Sequence, residues 1–208
     1  MSGMLILGAG GHAKVVADIL LLQGNEVIGF LDDNQTLWGT NLFTLPILGG
    51  IDTFADFSPD GLVFGIGSNA IRKQMVSRLG DVAAKLWQSV VHPRATVAES
   101  AVLGYGTVVA AHAVINPGCT IGEHVIINTG ATVDHDCVIE SFAHIAPGVH
   151  LAGNVKIGEG TLVGIGSQAI PSCCVGAWST VGAGSTVVGN IPSNVIAKGT
   201  PARWKEKP

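Results

Sequence analysis

Charge is scarce in this chain: of its 208 residues only 12% are Asp, Glu, Lys or Arg, with a formal net charge of -4. A charged surface this thin is low for a solvated monomer and implies that a partner covers part of it. The acidic balance supplies no basic field for nucleic acid, and no groove-reading motif appears, so no nucleic-acid partner is expected. Long apolar runs are missing too. The longest near the N-terminus, Val15 to Leu22, is interrupted by Asp18 and is too short to span a bilayer. No basic leader with a small-residue cleavage site precedes it. No membrane insertion is expected, and the expected location is the cytoplasm. Cysteine is limited to Cys119, Cys137, Cys173 and Cys174, without the spacing of a metal site or a sign of an oxidising compartment.

What the chain has in plenty is a period. From Val97 to Val187 an aliphatic residue or Ala returns every six positions through sixteen hexads, as in Ile115, Ile121, Ile127, Val133, Ile139 and Ile145. Four residues after each sits a second column of small or compact side chains, among them Ala113, Cys119, Val125, Ala131 and Cys137. A period of six fits neither a helix nor an alternating strand. It is the signature of a parallel β-helix, in which each hexad supplies one short strand and a turn and stacked coils bury continuous columns. If three hexads close a triangular coil, residues eighteen apart stack at about 4.8 Å and the prism stands roughly 25 Å tall. Cys119, Cys137 and Cys173 fall in the second inward column and read as buried small hydrophobes.

Ahead of the repeats, Met4 to Gly8 reads as a buried strand, followed by the turn Gly8-Ala9-Gly10-Gly11-His12-Ala13 and a helix from about His12 to Gln23, closed by Gly24. A strand over Glu26 to Leu31 ends at Asp32-Asp33. This is the opening of a dinucleotide-binding fold, with Ala13 in the third glycine's place. Three readings of the loop stay open: it holds the pyrophosphate of NAD, it holds a nucleotide-linked substrate at the same helix N-terminus, or it is only a tight turn. The unit is small for a dehydrogenase, because the hexads begin where a second mononucleotide half should follow. Lys14 is followed by Val, so the loop is no ATP-binding P-loop.

Strands are also expected over Leu62 to Gly67 and Leu86 to Val91. Between them lies a helix capped by Ser68-Asn69, with Ile71, Met75 and Leu79 along one side and Arg72 and Lys73 near its start, solvated or facing phosphates. His92-Pro93 marks the boundary, giving domains 1–92 and 93–208. After Pro192 the column stops and the chain is expected to leave the prism, with Lys198, Arg203, Lys205 and Lys207 concentrating positive charge at one end.

The hexad frame puts Asn128, Asp134, His135, Asp136 and His144 outside both core columns. A histidine flanked by carboxylates is a competent general base, because the anion fixes the tautomer and stabilises the imidazolium formed on proton uptake. His112, His124, His135, His144 and His150 offer an alternative, a three-histidine zinc site of the carbonic anhydrase kind. They occupy different hexad slots, and no metal site is expected. The outward column Val108, Ile126, His144, Leu162, Thr180 is mostly apolar and reads as a subunit contact, the alternative being that the N-terminal domain folds back over it.

The chain resembles the bacterial hexapeptide-repeat sugar acyltransferases with a small Rossmann-like N-terminal domain. It is most similar to the nucleotide-linked 4-amino-sugar N-acetyltransferases of the bacillosamine, perosamine and viosamine pathways, and to the sialic acid O-acetyltransferases. The carriers are GAGGHAK at Gly8 to Lys14, FLDD at Phe30 to Asp33, IGSNAIRK at Ile66 to Lys73, INTGATVDHDCVIESFAHIAPG at Ile127 to Gly148, AGNVKIG at Ala152 to Gly158 and KGTPAR at Lys198 to Arg203.

The resemblance implies a small Rossmann-like α/β domain followed by a left-handed parallel β-helix, a homotrimer, and active sites at subunit interfaces with acetyl-CoA along the prism. It implies transfer of acetyl to the amine of a nucleotide-linked amino sugar for surface glycan synthesis, or in the sialic acid branch to a hydroxyl. By the same resemblance His135 is the base and Asp136 its orienting partner. Asn128 and Asp134 touch the acceptor, and His144, Gly153, Ile165 and Ala183 line the coenzyme path. Gly10, His12, Asp32 and Asp33 surround the sugar nucleotide. Many relatives carry Glu where this chain has Asp beside the histidine, which shortens the carboxylate's reach.

Overall fold

The computed structural model describes residues 3–207. The chain forms two compact units, one ending at Pro93 and the other beginning at Arg94. Among the described residues no helix is long and apolar enough to cross a membrane.

The first unit is built on β1 (Met4–Leu7), whose Leu5, Ile6 and Leu7 are fully buried. It is followed by α1 (Gly11–Leu22) and β2 (Val27–Leu31). The helix ends in a Schellman turn: Gly24, at φ +77°, donates to Leu21 O and Asn25 donates to Leu20 O, so the last carbonyls are satisfied. The short strand β3 (Asn41–Leu42) makes a hairpin with β4 (Leu45–Gly49), and β5 (Gly61–Phe64) follows. The sheet order is β3-β4-β2-β1-β5, parallel except for the hairpin. The third-glycine position of the loop is filled by Ala13, which is buried where α1 presses on the strand end. A Cβ on Gly65 would stand 2.6 Å from that of Ala13, so the close packing needs glycine on the facing segment.

Four expectations for this unit are corrected. The helix α2 spans Asn69–Ala84, and Ser68 occupies its N-cap position, yet no side-chain cap bond forms there. Ile71 is exposed, and the buried side is Arg72, Met75, Leu79 and Ala83. Arg72 is not solvated: it is 1% exposed, and its guanidinium donates to the carbonyls of Ile66 (3.2 Å) and Gly67 (2.9 Å), fixing the loop after β5. Over Leu86 to Val91 only Val90–Val91 is a strand, while Trp87 makes an isolated bridge to Leu62 and packs at a 36° tilt against Phe64, ring centroids 4.4 Å apart.

The second unit is a parallel β-helix of two-residue strands in three ladders. Its register is eighteen: Val114 pairs with Thr132, Thr120 with Val138, and Ile126 with His144. One face carries Val108–Val109, Ile126–Ile127, His144–Ile145, Leu162–Val163 and Thr180–Val181. The next carries Val114–Ile115, Thr132–Val133, His150–Leu151, Gln168–Ala169 and Thr186–Val187. The third carries Val102–Leu103 through Cys174–Val175. The aliphatic column is buried from Val109 to Val187, while Val97 and Leu103, in the first coil, are half-buried.

Two devices hold the coils. Every sixth residue from Gly106 to Gly184 has positive φ, and Asp136 (φ 59°) is one of the non-glycine members; a short polar side chain tolerates this region. In the second inward column, hydroxyls tie one coil to the next: Thr107, Thr161 and Ser167 donate to carbonyls fifteen residues on, at 2.7–2.8 Å, and accept amides eighteen residues on. This column is a ladder of side-chain donors as well as small packing groups.

Two further expectations fail here. Val108 and Ile126 are each only 1% exposed, so the lower part of the outward apolar stripe is not a free face for a neighbouring subunit, while His144, Leu162 and Thr180 in the same column are half-buried. The chain also stays on the prism after Pro192. Val195–Lys198 pairs in parallel with Thr180–Val181, then turns back through the antiparallel strand Arg203–Glu206, where Lys198 and Arg203 are exposed.

Candidate active site

The corner after Val133 gathers the strongest chemistry in the molecule. His135 donates its backbone N–H to Asp134 Oδ1 (2.8 Å), and the same oxygen accepts from Asn116 Nδ2 (3.0 Å) one coil below. Asp134 Oδ2 takes no bond from any described residue. His135 Nδ1 lies 2.8 Å from Asp136 Oδ2, with the two side chains 56% and 59% exposed. The hydrogen bond that His135 donates to Asp136 raises its pKa above the ordinary histidine value; desolvation opposes it, and the negative charges of Asp134 and Asp136 add smaller increases. In the neutral ring the proton sits on Nδ1, facing Asp136, which leaves Nε2 with an exposed lone pair. Asn116 was missed in the sequence, although it stands eighteen residues before Asp134 and so in the same stacked slot.

Gly153 is eighteen residues after His135 and lies against its ring. A Cβ at that position would be 2.5 Å from His135 Cε1 and 2.6 Å from Nε2. The imidazole therefore rests where any other residue would project.

The remaining β-helix candidates sit at a different corner. Asn128 Nδ2 is 3.1 Å from His144 Nε2, while Asn128 Oδ1 accepts from Thr129 N–H (2.8 Å). That second bond fixes the amide orientation, so Asn128 donates and His144 Nε2 accepts. Ile165, 57% exposed, and Ala183, also exposed, stack one coil apart at the same corner. Within one chain, then, Asn128, His144, Ile165 and Ala183 are separated from Asp134, His135, Asp136 and Gly153 by the face that carries Thr132–Val133 and His150–Leu151. Among the described residues no three His, Cys, Asp or Glu side chains gather to hold a metal ion.

In the first unit Gly10 is the exposed N-cap of α1, and neither Gly10 nor Gly11 has anything within 4 Å of where a Cβ would stand. The open space lies at the positive end of the helix. Burial, then the charge of Arg72, lowers the pKa of His12 to about 4, and its buried Nε2 has no hydrogen-bond partner among the described residues. Asp32 accepts from Ala9 N–H (2.7 Å) and Asn34 N–H (2.8 Å), tying the end of β2 to the glycine turn. Asp33 accepts from Ile51 N–H (3.1 Å) and pairs with Arg78, which also bridges to Asp52. The Arg78 hydrogen bond lowers the pKa of Asp33.

Residues 4–79 match the family model of the PglD N-terminal domain. A perosamine N-acetyltransferase from Caulobacter crescentus, solved as a histidine-to-asparagine variant with CoA and GDP-perosamine, is 35% identical, with a TM-score of 0.92 over 99% of this chain and 97% of that one. The chain belongs to the hexapeptide-repeat sugar N-acetyltransferase family. Its second unit is the left-handed β-helix of that family. The acetyltransferase domain of PglB from Neisseria gonorrhoeae, solved with acetyl coenzyme A, is 38% identical, with a TM-score of 0.87 over 96% of this chain and 97% of that one. A UDP-N-acetylbacillosamine N-acetyltransferase from Bacillus subtilis is 39% identical over 113 residues, which span 52% of this chain and about half (51%) of that relative.

Proposed function

We propose that this protein transfers the acetyl group of acetyl-CoA to the amine of a nucleotide-activated amino sugar, as a step in surface glycan synthesis. The observation that carries this reading is the His135–Asp136 pair, an exposed imidazole whose Nδ1 proton is held by a carboxylate and whose Nε2 is free to accept a proton. The relatives solved with CoA, acetyl coenzyme A and GDP-perosamine support the substrate classes.

His135 Nε2 takes a proton from the sugar amine as its nitrogen attacks the thioester carbonyl. The N–C bond forms, the C–S bond breaks, and the proton passes on to the departing coenzyme thiolate. Asp136 stabilises the imidazolium between these events, and Asp134 Oδ2 faces the acceptor together with Asn128. A backbone N–H or side-chain donor must meet the oxyanion. Cys119, Cys137 and Cys173 are buried and take no nucleophilic part. His144, Gly153, Ile165 and Ala183 line the coenzyme path, while Gly10, His12, Asp32 and Asp33 surround the nucleotide in the first unit.

The two-corner arrangement favours a homotrimer. A head-to-tail ring of three copies brings the Asn128–His144 corner of one subunit to the His135 corner of the next, and closes. The expected location is the cytoplasm, where both substrates are soluble metabolites. The test is release of free CoA thiol across UDP-, GDP- and dTDP-linked amino sugars. Release that needs both substrates and is lost in His135→Ala supports the reading. Turnover of the variant at the wild-type rate, or activity abolished by chelation without any thiol release, overturns it.

A further inference from the structure

We infer that the buried thiols of Cys119 and Cys137 are positioning residues for His135, an inference that rests on reading His135 as the base. Both are sealed from solvent, at 1% and 0% exposure. Cys119 Sγ donates to Asp134 O at 3.0 Å, and Cys137 Sγ donates to Ala152 O at 3.2 Å. These two carbonyls open the peptide bonds into His135 and into Gly153. One thiol thus holds the backbone that carries the imidazole, and the other holds the backbone on which it rests.

The thiols occupy the same inward slot that elsewhere holds hydroxyl donors. Burial raises the pKa of both, that of Cys137 to about 11, so each keeps the S–H that donates. The coil itself does not need a donor in this slot, because Val125, Val149 and Val155 fill it, fully buried, in other coils. Other members of the column, Thr107, Thr161, Ser167 and Cys173, hold carbonyls elsewhere in the coil, whereas at 119 and 137 the carbonyls so held are those beside His135 and Gly153. His135 contacts Asp136 through one nitrogen and Gly153 through the ring face, so a small drift of either carbonyl turns the imidazole away from both. Misplacement of a reacting group by about 1 Å costs up to a hundredfold in rate.

The experiment compares Cys119→Val and Cys137→Val with Cys119→Ser and Cys137→Ser in the full chain. Thermal unfolding first establishes that each folds. The readouts are kcat and KM for acetyl transfer and the NMR titration of the His135 ring. The Val variants are expected to lose about ten- to a hundredfold in kcat with KM nearly unchanged, and their His135 pKa should fall toward the ordinary value as contact with Asp136 loosens beside Asp134. The Ser variants, which keep a donor, should recover most of both. Val variants with wild-type kcat and titration overturn the proposal, as do Ser variants that fall as far as Val. If His135→Ala turns over like wild type, the assignment of the base fails instead, while the ring titration still decides whether the thiols position it.

Discussion

Gly153 and His135 are eighteen residues apart in sequence and in contact in space, the glycine's missing Cβ leaving the room that the imidazole fills. Gly153→Ala should therefore act on the chemistry rather than on the coil. The added methyl must push the ring off its seat, since a Cβ 2.5 Å from Cε1 is closer than atoms approach. Expected is a loss of kcat of about a hundredfold with melting temperature nearly unchanged. A variant with full turnover would show that the ring has another working position.

Acid should silence the enzyme through His135. Its pKa is raised by Asp136 and Asp134, and the base works only unprotonated, so kcat/KM falls as pH drops through a value above the ordinary one. Asp136→Asn removes the largest cause of that shift. The acid limb should then move to lower pH, while the plateau drops by about a hundredfold because tautomer and orientation are lost. An unmoved limb in the pH profile would dissociate Asp136 from His135.

His12 supplies a separate pH signature, in stability. Burial lowers its folded pKa to about 4, below the unfolded value of about 6.5. The unfolded state then binds more protons between these values, so stability falls as pH drops from about 6.5 toward 4. His12→Gln should flatten that slope in pH-dependent thermal unfolding. A slope identical to wild type would mean that His12 is freely solvated.

Subunit sharing can be read by complementation. His135→Ala and His144→Ala subunits, each inactive alone, are to be unfolded together and refolded at equal ratio. If sites form between chains, about a quarter of them recover both wild-type residues in a random ring. Activity should reappear on mixing to roughly that fraction. No recovery in verified mixed trimers would place both histidines' work within one chain.

The sequence alone determined the coil and its polarity. A six-residue period restricts the register to a multiple of six, because only stacking like on like buries the aliphatic column; with three hexads to a coil the register is eighteen, which places Asn116 under Asp134 and Gly153 against His135. The sequence showed a histidine flanked by two carboxylates; that Asp136 rather than Asp134 meets Nδ1 comes from the corner, where Asp136 takes the left-handed region. Tertiary structure decided what covers an outward side chain. Val108 and Ile126 look like free apolar positions in the repeat, but their burial depends on packing that no period encodes. Arg72 reads as a solvated first-turn cation until the carbonyls of Ile66 and Gly67, placed by the end of β5, are seen to receive it. Periodicity reports how a chain stacks on itself; which carbonyl or corner meets a given side chain is set by the three-dimensional closure of each unit. The separation of Asn128 and His144 from His135 by one face follows from the hexad frame once three hexads close a coil, whereas the contacts each makes, Asn128 to His144 and His135 to Asp136, are set by the structure.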